Sequence, residues 1–272
     1  MPKTLCGSQL FIESSEKHDW IFNIDCIEEI DLTNLQTVFK GAQSFEEEIP
    51  YKWKLLKNDS SKFIHFEFEK DIDIHSGLAT INEKEKAINL QLITKPKETI
   101  EIDPFFHPIG ILILQYIVHS SKGFIMHASA VNYNGAGFLF SAVSGTGKTT
   151  MAKLWQKKGA TIINDDRIIV NPHGQDYYLY NTPMPYYKDV NKSVQLNKLF
   201  IIKQSPHNYI KPLSTTSGIL SVLSNCIQYH FNELQIKERL DYITKTVESI
   251  GVYEVGFKPD TEIIDLILNK FG

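Results

Sequence analysis

Residues 138–155, FLFSAVSGTGKTTMAKLW, place an apolar run, a glycine-rich turn and a helix-forming run in immediate succession. This stretch constrains the chain more than any other, because it reads as a strand that ends in a tight loop and re-enters as a helix. Glycines at 145 and 147 let successive backbone N–H groups point into one concavity and let the chain come close to an anion. The helix beyond adds the positive end of its dipole. In loops of this kind a lysine reaches the terminal phosphates of a nucleotide, and the next hydroxyl holds Mg²⁺. Ser144, Gly145, Thr146, Gly147, Lys148, Thr149 and Thr150 are therefore the expected nucleotide-binding residues, with Thr149 on the metal. One position departs from the G-x-x-x-x-G-K-[ST] pattern: Ala142 stands where the first glycine is usual. Alanine is tolerable there if φ is negative and costly if φ is positive.

Asp165 and Asp166 follow Thr149 by sixteen and seventeen residues. One helix and the apolar strand ATIIN fill that interval. The spacing predicts that this strand lies beside the loop strand, so that the aspartates emerge next to the loop. Adjacent carboxylates on an extended chain point in opposite directions. One would face a metal and the other an acceptor hydroxyl, which are two needs of phosphoryl transfer. An Asp-Asp pair standing alone reads more plainly as a polar strand-to-turn corner. His127, in MHASAV on the strand before the loop strand, is placed to contact a phosphate, a metal or a carboxylate. A packed core histidine is the structural alternative.

The rest of the chain frames these residues. The first hundred residues are β-rich: Tyr51, Trp53 and Leu55, then Phe66 and Phe68, then Ile88, Leu90 and Leu92 alternate with polar neighbours. That pattern predicts strands with one buried and one wet face. KPKETIEIDP, 95–104, reads as a connection. Residues 104–123 read as a buried helix closed by Gly123. Hairpins are expected around Asn134-Gly135 and around 171–174. KLFIIKQ, 198–204, and VYEVGF, 252–257, read as strands, and 214–228, 233–248 and 260–269 as helices. The expected domains are a β-rich N-terminal region, 1–104, and an α/β ATP-binding catalytic region, 105–272.

Composition narrows the function. The net charge of −4 and the presence of two arginines, Arg167 and Arg239, argue against nucleic acid and anionic membranes as partners. The most apolar run, 109–118, is too short to span a bilayer. Cys6, Cys26 and Cys226 have no paired spacing and read as free thiols of a reducing compartment, so a cytoplasmic protein is expected. Lys188, Lys192 and Lys198 are candidates to bind an acceptor's anion, although most lysines are solvated. PMPYYKD, 183–189, is a candidate lid or an ordinary packed loop. His107, His119 and His230 lack metal-ligand spacing.

MHASAVNYNGAGFLFSAVSGTGKTTMAKLWQKKGATIINDDRIIV resembles the catalytic core of bacterial HPr kinase/phosphorylase. That family combines a His-x-Ser-x-Val strand, a glycine-rich loop ending in Gly-Lys-Ser/Thr, and a strand ending in Asp-Asp-Arg. The resemblance implies a phosphoenolpyruvate-carboxykinase-like core, ATP and Mg²⁺. It implies Lys148 on the phosphates, Thr149 and Asp166 at the metal, Asp165 as the base and His127 on the phosphate or metal side. The tail is more similar to standalone HPr-kinase-like proteins, some of which are serine kinases acting on small or peptide substrates. The expected activity is transfer of the γ-phosphoryl group of ATP to a hydroxyl, serine in a peptide, protein or free form, in a chain that is free to form a homo-oligomer. Alternatives are an ATPase or nucleotide sensor without an acceptor, and a scaffold that has lost nucleotide binding.

Overall fold

The computed structural model describes residues 4–5, 19–44, 51–69, 73–95, 101–102, 109–182, 193–227 and 229–272. The chain is mixed α/β with a β-rich N-terminal region. It divides into two units, residues 1–117 with 229–235 and residues 118–228 with 236–272.

The first unit begins with β1 (Thr4–Leu5), β2 (Ile21–Cys26), β3 (Gln36–Lys40), β4 (Tyr51–Lys57), β5 (Lys62–Phe68), β6 (Ile74–Asn82), β7 (Ala87–Thr94) and β8 (Glu101–Ile102). Six of these form one sheet in the order β2-β7-β6-β5-β4-β3, and β1 pairs with β8. Leu55, Phe66, Ile88, Leu90 and Leu92 are buried, as period-two patterning requires. The opposite face is drier than the alternation predicts: Phe63, Ile64, His65 and Phe66 are buried in succession. Ile30, Leu32 and Leu35, between β2 and β3, pack on Leu56, Phe63 and Leu78 and cover that second face. Burial, then the nearby Lys54 charge, holds the His65 imidazole below its ordinary pKa.

Next comes α1 (Ile109–Ser120), apolar on nearly every side, with Ile109, Leu112, Ile113, Tyr116 and Val118 buried. Among the described residues no helix is long and apolar enough to cross a membrane. The expected closure at Gly123 shifts by one residue. Lys122 takes the left-handed φ of 65°. The Lys122 N–H then donates to the His119 carbonyl and the Gly123 N–H to the Val118 carbonyl, a Schellman ending.

The second unit carries β9 (Phe124–Tyr133), β10 (Ala136–Ser141), α2 (Lys148–Lys157), β11 (Thr161–Asn164), β12 (Arg167–His173), β13 (Asp176–Asn181), β14 (Ser193–Gln204), β15 (Tyr209–Pro212), α3 (Thr215–Ser224) and β16 (Cys226–Ile227). It ends with α4 (Glu233–Ile250), whose first turn belongs to the other unit, β17 (Val252–Phe257) and α5 (Glu262–Phe271). The strands form one sheet in the order β10-β9-β12-β13-β14-β17-β15, and a further β10–β14 pairing closes five of them into a ring. β10, β14 and β17 run parallel to one another. Along β10, Leu139 joins a core with Val222 and Ile243, whereas Phe138 and Phe140 join another with Trp155 and Ile263. Alternation thus gives each strand face its own helices to cover it.

Local chemistry explains the turns. Asn134 and Gly135, at φ 53° and 86°, join β9 to β10 as the Asn-Gly signal predicts. The β12–β13 turn falls later than 171–174. Asn171, Pro172 and His173 stay in the strand, Pro172 opposite Tyr177, and Gly174 with Gln175 makes the turn. Gly174 supplies a φ of 66°, which the ring of Pro172 cannot adopt. α3 stops at Ser224, short of the expected 228, because Cys226 and Ile227 pair with β9.

Candidate functional site

β9 is the axis of the site. One of its edges carries β10 and then β16, and the other carries β11 and then β12. The strand before the aspartates therefore does not lie beside the loop strand, as spacing suggested. β9 stands between them, because both of its edges are open to pairing. Asp165 and Asp166 are the bend between β11 and β12 rather than an extended strand end. Asn164 is buried, and its Oδ1 accepts from the backbone N–H groups of Asp166 at 2.8 Å and Arg167 at 3.2 Å, which holds that bend. The Ala128 N–H donates to the Asp166 carbonyl at 3.1 Å, tying it to β9.

His127 lies on β9 opposite Arg167, at the step where β10 gives way to β16. Its N–H donates to the Asn225 carbonyl at 2.8 Å, and its carbonyl accepts from the Ser141 hydroxyl at 3.0 Å. The backbone is fixed on both sides, and the imidazole is left half-exposed. Its Nε2 is 3.6 Å from Oδ1 of Asp166, whose Oδ2 is 3.4 Å from Nε of Arg167. Burial, followed by the Lys148 charge, pushes the His127 pKa below its ordinary value; Asp166 opposes the shift. The ring is therefore mainly neutral near pH 7.

The glycine loop joins β10 to α2. Gly145 and Gly147 have φ of 79° and 110°, which side chains on an L-residue resist. A Cβ on Gly145 would meet open space, whereas one on Gly147 would lie 3.0 Å from Cζ of Phe257. Ala142 is not among the described residues with positive φ, so a glycine is not required there. Its methyl is buried in the core that holds Trp155 and Phe140.

Lys148 is the first residue of α2 and is buried. Its Nζ donates to the carbonyls of Ala142 at 3.0 Å and Val143 at 3.4 Å, across the mouth of the loop. Burial lowers its pKa, against the pull of Asp166. The Ser129 hydroxyl donates to the Lys148 carbonyl at 3.1 Å, pinning the start of the helix to β9. Ser144, Gly145, Thr149 and Thr150 are exposed, and Thr146 and Gly147 half-exposed.

One lysine, one imidazole and one carboxylate thus converge beside a loop and a helix N-terminus. Exposed backbone at such a terminus suits an anion. Among the described residues no group of three or more His, Cys, Asp or Glu could cage a metal ion. A cation of the Mg²⁺ type fits all the same, since it usually takes one or two protein oxygens and completes its shell from phosphates and water. The Thr149 hydroxyl and the Asp166 carboxylate are the donors of the right kind.

Some residues named from sequence fall elsewhere. The Lys198 ammonium donates to the Ile250 carbonyl at 3.1 Å. His119 meets Glu238 at 3.1 Å, and His230 stacks edge-on with Phe39. Cys26 and Cys226 are free thiols, and burial pushes Cys226 up to about 12, with Arg239 opposing. Lys188, Lys192, the PMPYYKD segment, His107 and Cys6 lie outside the described residues. Four residues that hold the site escaped the sequence reading as site residues: Ser129, Ser141, Asn164 and Arg167. The His-x-Ser and Asp-Asp-Arg patterns carried a signal for Ser129 and Arg167. Nothing local in the sequence marks Ser141, whose partner comes from β9, whereas Asn164 caps N–H groups only two and three residues on, a local turn signal in the Asn-Asp-Asp run.

These features define a class: a mixed α/β protein with a strand–glycine loop–helix unit braced by a histidine strand and an aspartate bend. The chain belongs to the family described as SynChlorMet cassette protein ScmC, whose profile matches residues 105–247, just over half of its length. No curated protein matches it. Among solved structures it is distantly similar to the Hpr(Ser) kinase/phosphatase from Coxiella burnetii, with 9% identity and a TM-score of 0.28 over 52% of this chain and 90% of that one.

Proposed function

We propose that this protein is an ATP- and Mg²⁺-dependent kinase with an HPr-kinase-like core, which moves the γ-phosphoryl group to a hydroxyl, serine in a peptide, protein or free form. The observation that carries this reading is the convergence of the Lys148 ammonium, the His127 imidazole and the Asp166 carboxylate beside a loop whose two glycines hold positive φ. In this reading the N–H groups of residues 144–150 hold the β- and γ-phosphates. Lys148 exchanges its carbonyl partners for phosphate oxygens. Thr149 and Asp166 hold Mg²⁺, which when bound neutralises charge on the phosphates. Neutral His127 gives a hydrogen bond to the phosphate side without adding a repelling or attracting full charge. Asp165 takes the proton of the acceptor hydroxyl as its oxygen bonds to the γ-phosphorus and the bond from that phosphorus to the ADP oxygen breaks.

The test is a mass-shift screen of serine, small hydroxy acids and serine-containing peptides with ATP-Mg²⁺. Lys148→Ala should abolish ATP binding. Asp165→Asn should bind ATP and lose transfer. Full transfer by Asp165→Asn would remove the assigned base. Rapid ADP release without any acceptor would replace the kinase reading with an ATPase.

A further inference from the structure

A cavity of about 600 Å³ opens on the flank of the glycine loop away from His127's strand, with Thr146, Gly147 and Thr150 forming one wall. Its other wall is built where two neighbouring parallel strands end: Gln204 and Pro206 follow from β14, and Phe257 and Pro259 from β17. Ligands of open parallel sheets bind outside the carboxyl ends of the strands. Here the loop after β10 and the cavity after β14 and β17 occupy three such ends side by side. The two are continuous, since Gly147 packs against the edge of the Phe257 ring. A nucleotide with its phosphates on the loop has this cavity as the adjoining space for its nucleoside.

The chemistry of the walls selects a base. Two exposed prolines and a phenylalanine edge give an apolar slot for a flat ring. None of the lining residues is Asp or Glu, so no lining carboxylate is there to accept both of the neighbouring N–H donors on the pairing edge of guanine. The Gln204 Nε2 donates to the Gly145 carbonyl at 3.4 Å, which aims the amide at the loop and leaves a second N–H and the Oε1 for a ligand. A glutamine amide matches the N6 donor and N7 acceptor of adenine. Resting on the nucleotide reading above, we infer that this cavity is a purine pocket in which Gln204 selects adenine over guanine.

Calorimetric titration of the intact chain with Mg²⁺ and tripolyphosphate, ATP or GTP tests this. ATP is expected to bind at least about tenfold more tightly than GTP and than tripolyphosphate, the scale of one or two well-made hydrogen bonds. Gln204→Ala should bring ATP to within about threefold of GTP while tripolyphosphate binding stays the same. Equal affinity for ATP and tripolyphosphate in the wild-type chain would overturn the pocket and leave the phosphate loop standing. So would equal weakening of ATP and tripolyphosphate by Gln204→Ala, which would make Gln204 a brace of the loop. If tripolyphosphate itself fails to bind, the nucleotide reading falls, and the pocket with it.

Discussion

Restoring the missing glycine of the loop should harm the protein rather than help it. Ala142 has no positive φ, so Ala142→Gly relieves no strain. The glycine adds freedom to the unfolded chain, worth about 0.4–1 kcal/mol. It also removes a buried methyl from the core around Trp155 and Phe140, worth about 0.8 kcal/mol. The expected loss is therefore about 1–2 kcal/mol, or roughly 2–4 °C in Tm for a chain of this size. ATP-Mg²⁺ affinity should stay within about twofold, since the loop's own φ values do not change. The two retained glycines behave oppositely. Gly145→Ala places its Cβ in open space, so its cost is the left-handed backbone alone, about 1–2 kcal/mol. Gly147→Ala adds a 3.0 Å approach to Phe257 and should cost more. Thermal unfolding followed by circular dichroism, with calorimetric titration of ATP-Mg²⁺ on each variant, measures both quantities. A more stable Ala142→Gly, or one that binds nucleotide tenfold more tightly, would refute the assignment of the backbone at that position.

Three further outcomes are expected. His127 should titrate below the ordinary histidine value by NMR of its ring protons, and Lys148→Ala should move it upward by removing a cation; a pKa above the ordinary value would refute the electrostatic picture. Glu254 is buried, and although burial raises its pKa, hydrogen bonds from Lys203, Lys211 and Tyr209 prevail and hold it at about 2. Because the folded value is depressed, its stabilisation is complete above the unfolded carboxylate range near 4.5 and is lost as pH falls through about 2. Glu254→Gln should thus cost about 1–2 kcal/mol at pH 7, after screening at the exposed lysines, and almost nothing at pH 2, as urea unfolding at the two pH values would show. Ser129→Ala should cost about 1 kcal/mol in the same assay by removing the hydrogen bond from β9 to the Lys148 carbonyl at the start of α2, and should weaken ATP binding several-fold; unchanged binding would mean that α2 needs no such anchor.

The elements near the loop were largely legible because their signals are local. Asn134-Gly135 announces a two-residue turn, Gly159 ends α2 with a φ of 92°, and the alternation in β4, β5 and β7 marks their buried faces. His127, Lys148 and the aspartates were likewise visible as residue types at suggestive spacings. Errors arose where the cause was remote in sequence. The alternation puts His65 on the wet face, but the segment bearing Ile30, Leu32 and Leu35 covers that face. Pro172 looked like a turn residue because nothing nearby discloses that Tyr177 pairs with it.

The chain's own residues settle the backbone chemistry of the loop. Glycines at 145 and 147 allow positive φ, and an alanine at 142 accepts negative φ whatever surrounds it. Which groups meet at that loop is a matter of pairing. β9 separates the loop strand from the aspartate bend, so Asp166 reaches His127 across β9's far edge, Ser141 pins β10 to β9, and Ser129 pins β9 to the start of α2. Such contacts join positions up to tens of residues apart. Strand register alone brings them within hydrogen-bonding distance, and register is a property of the assembled sheet.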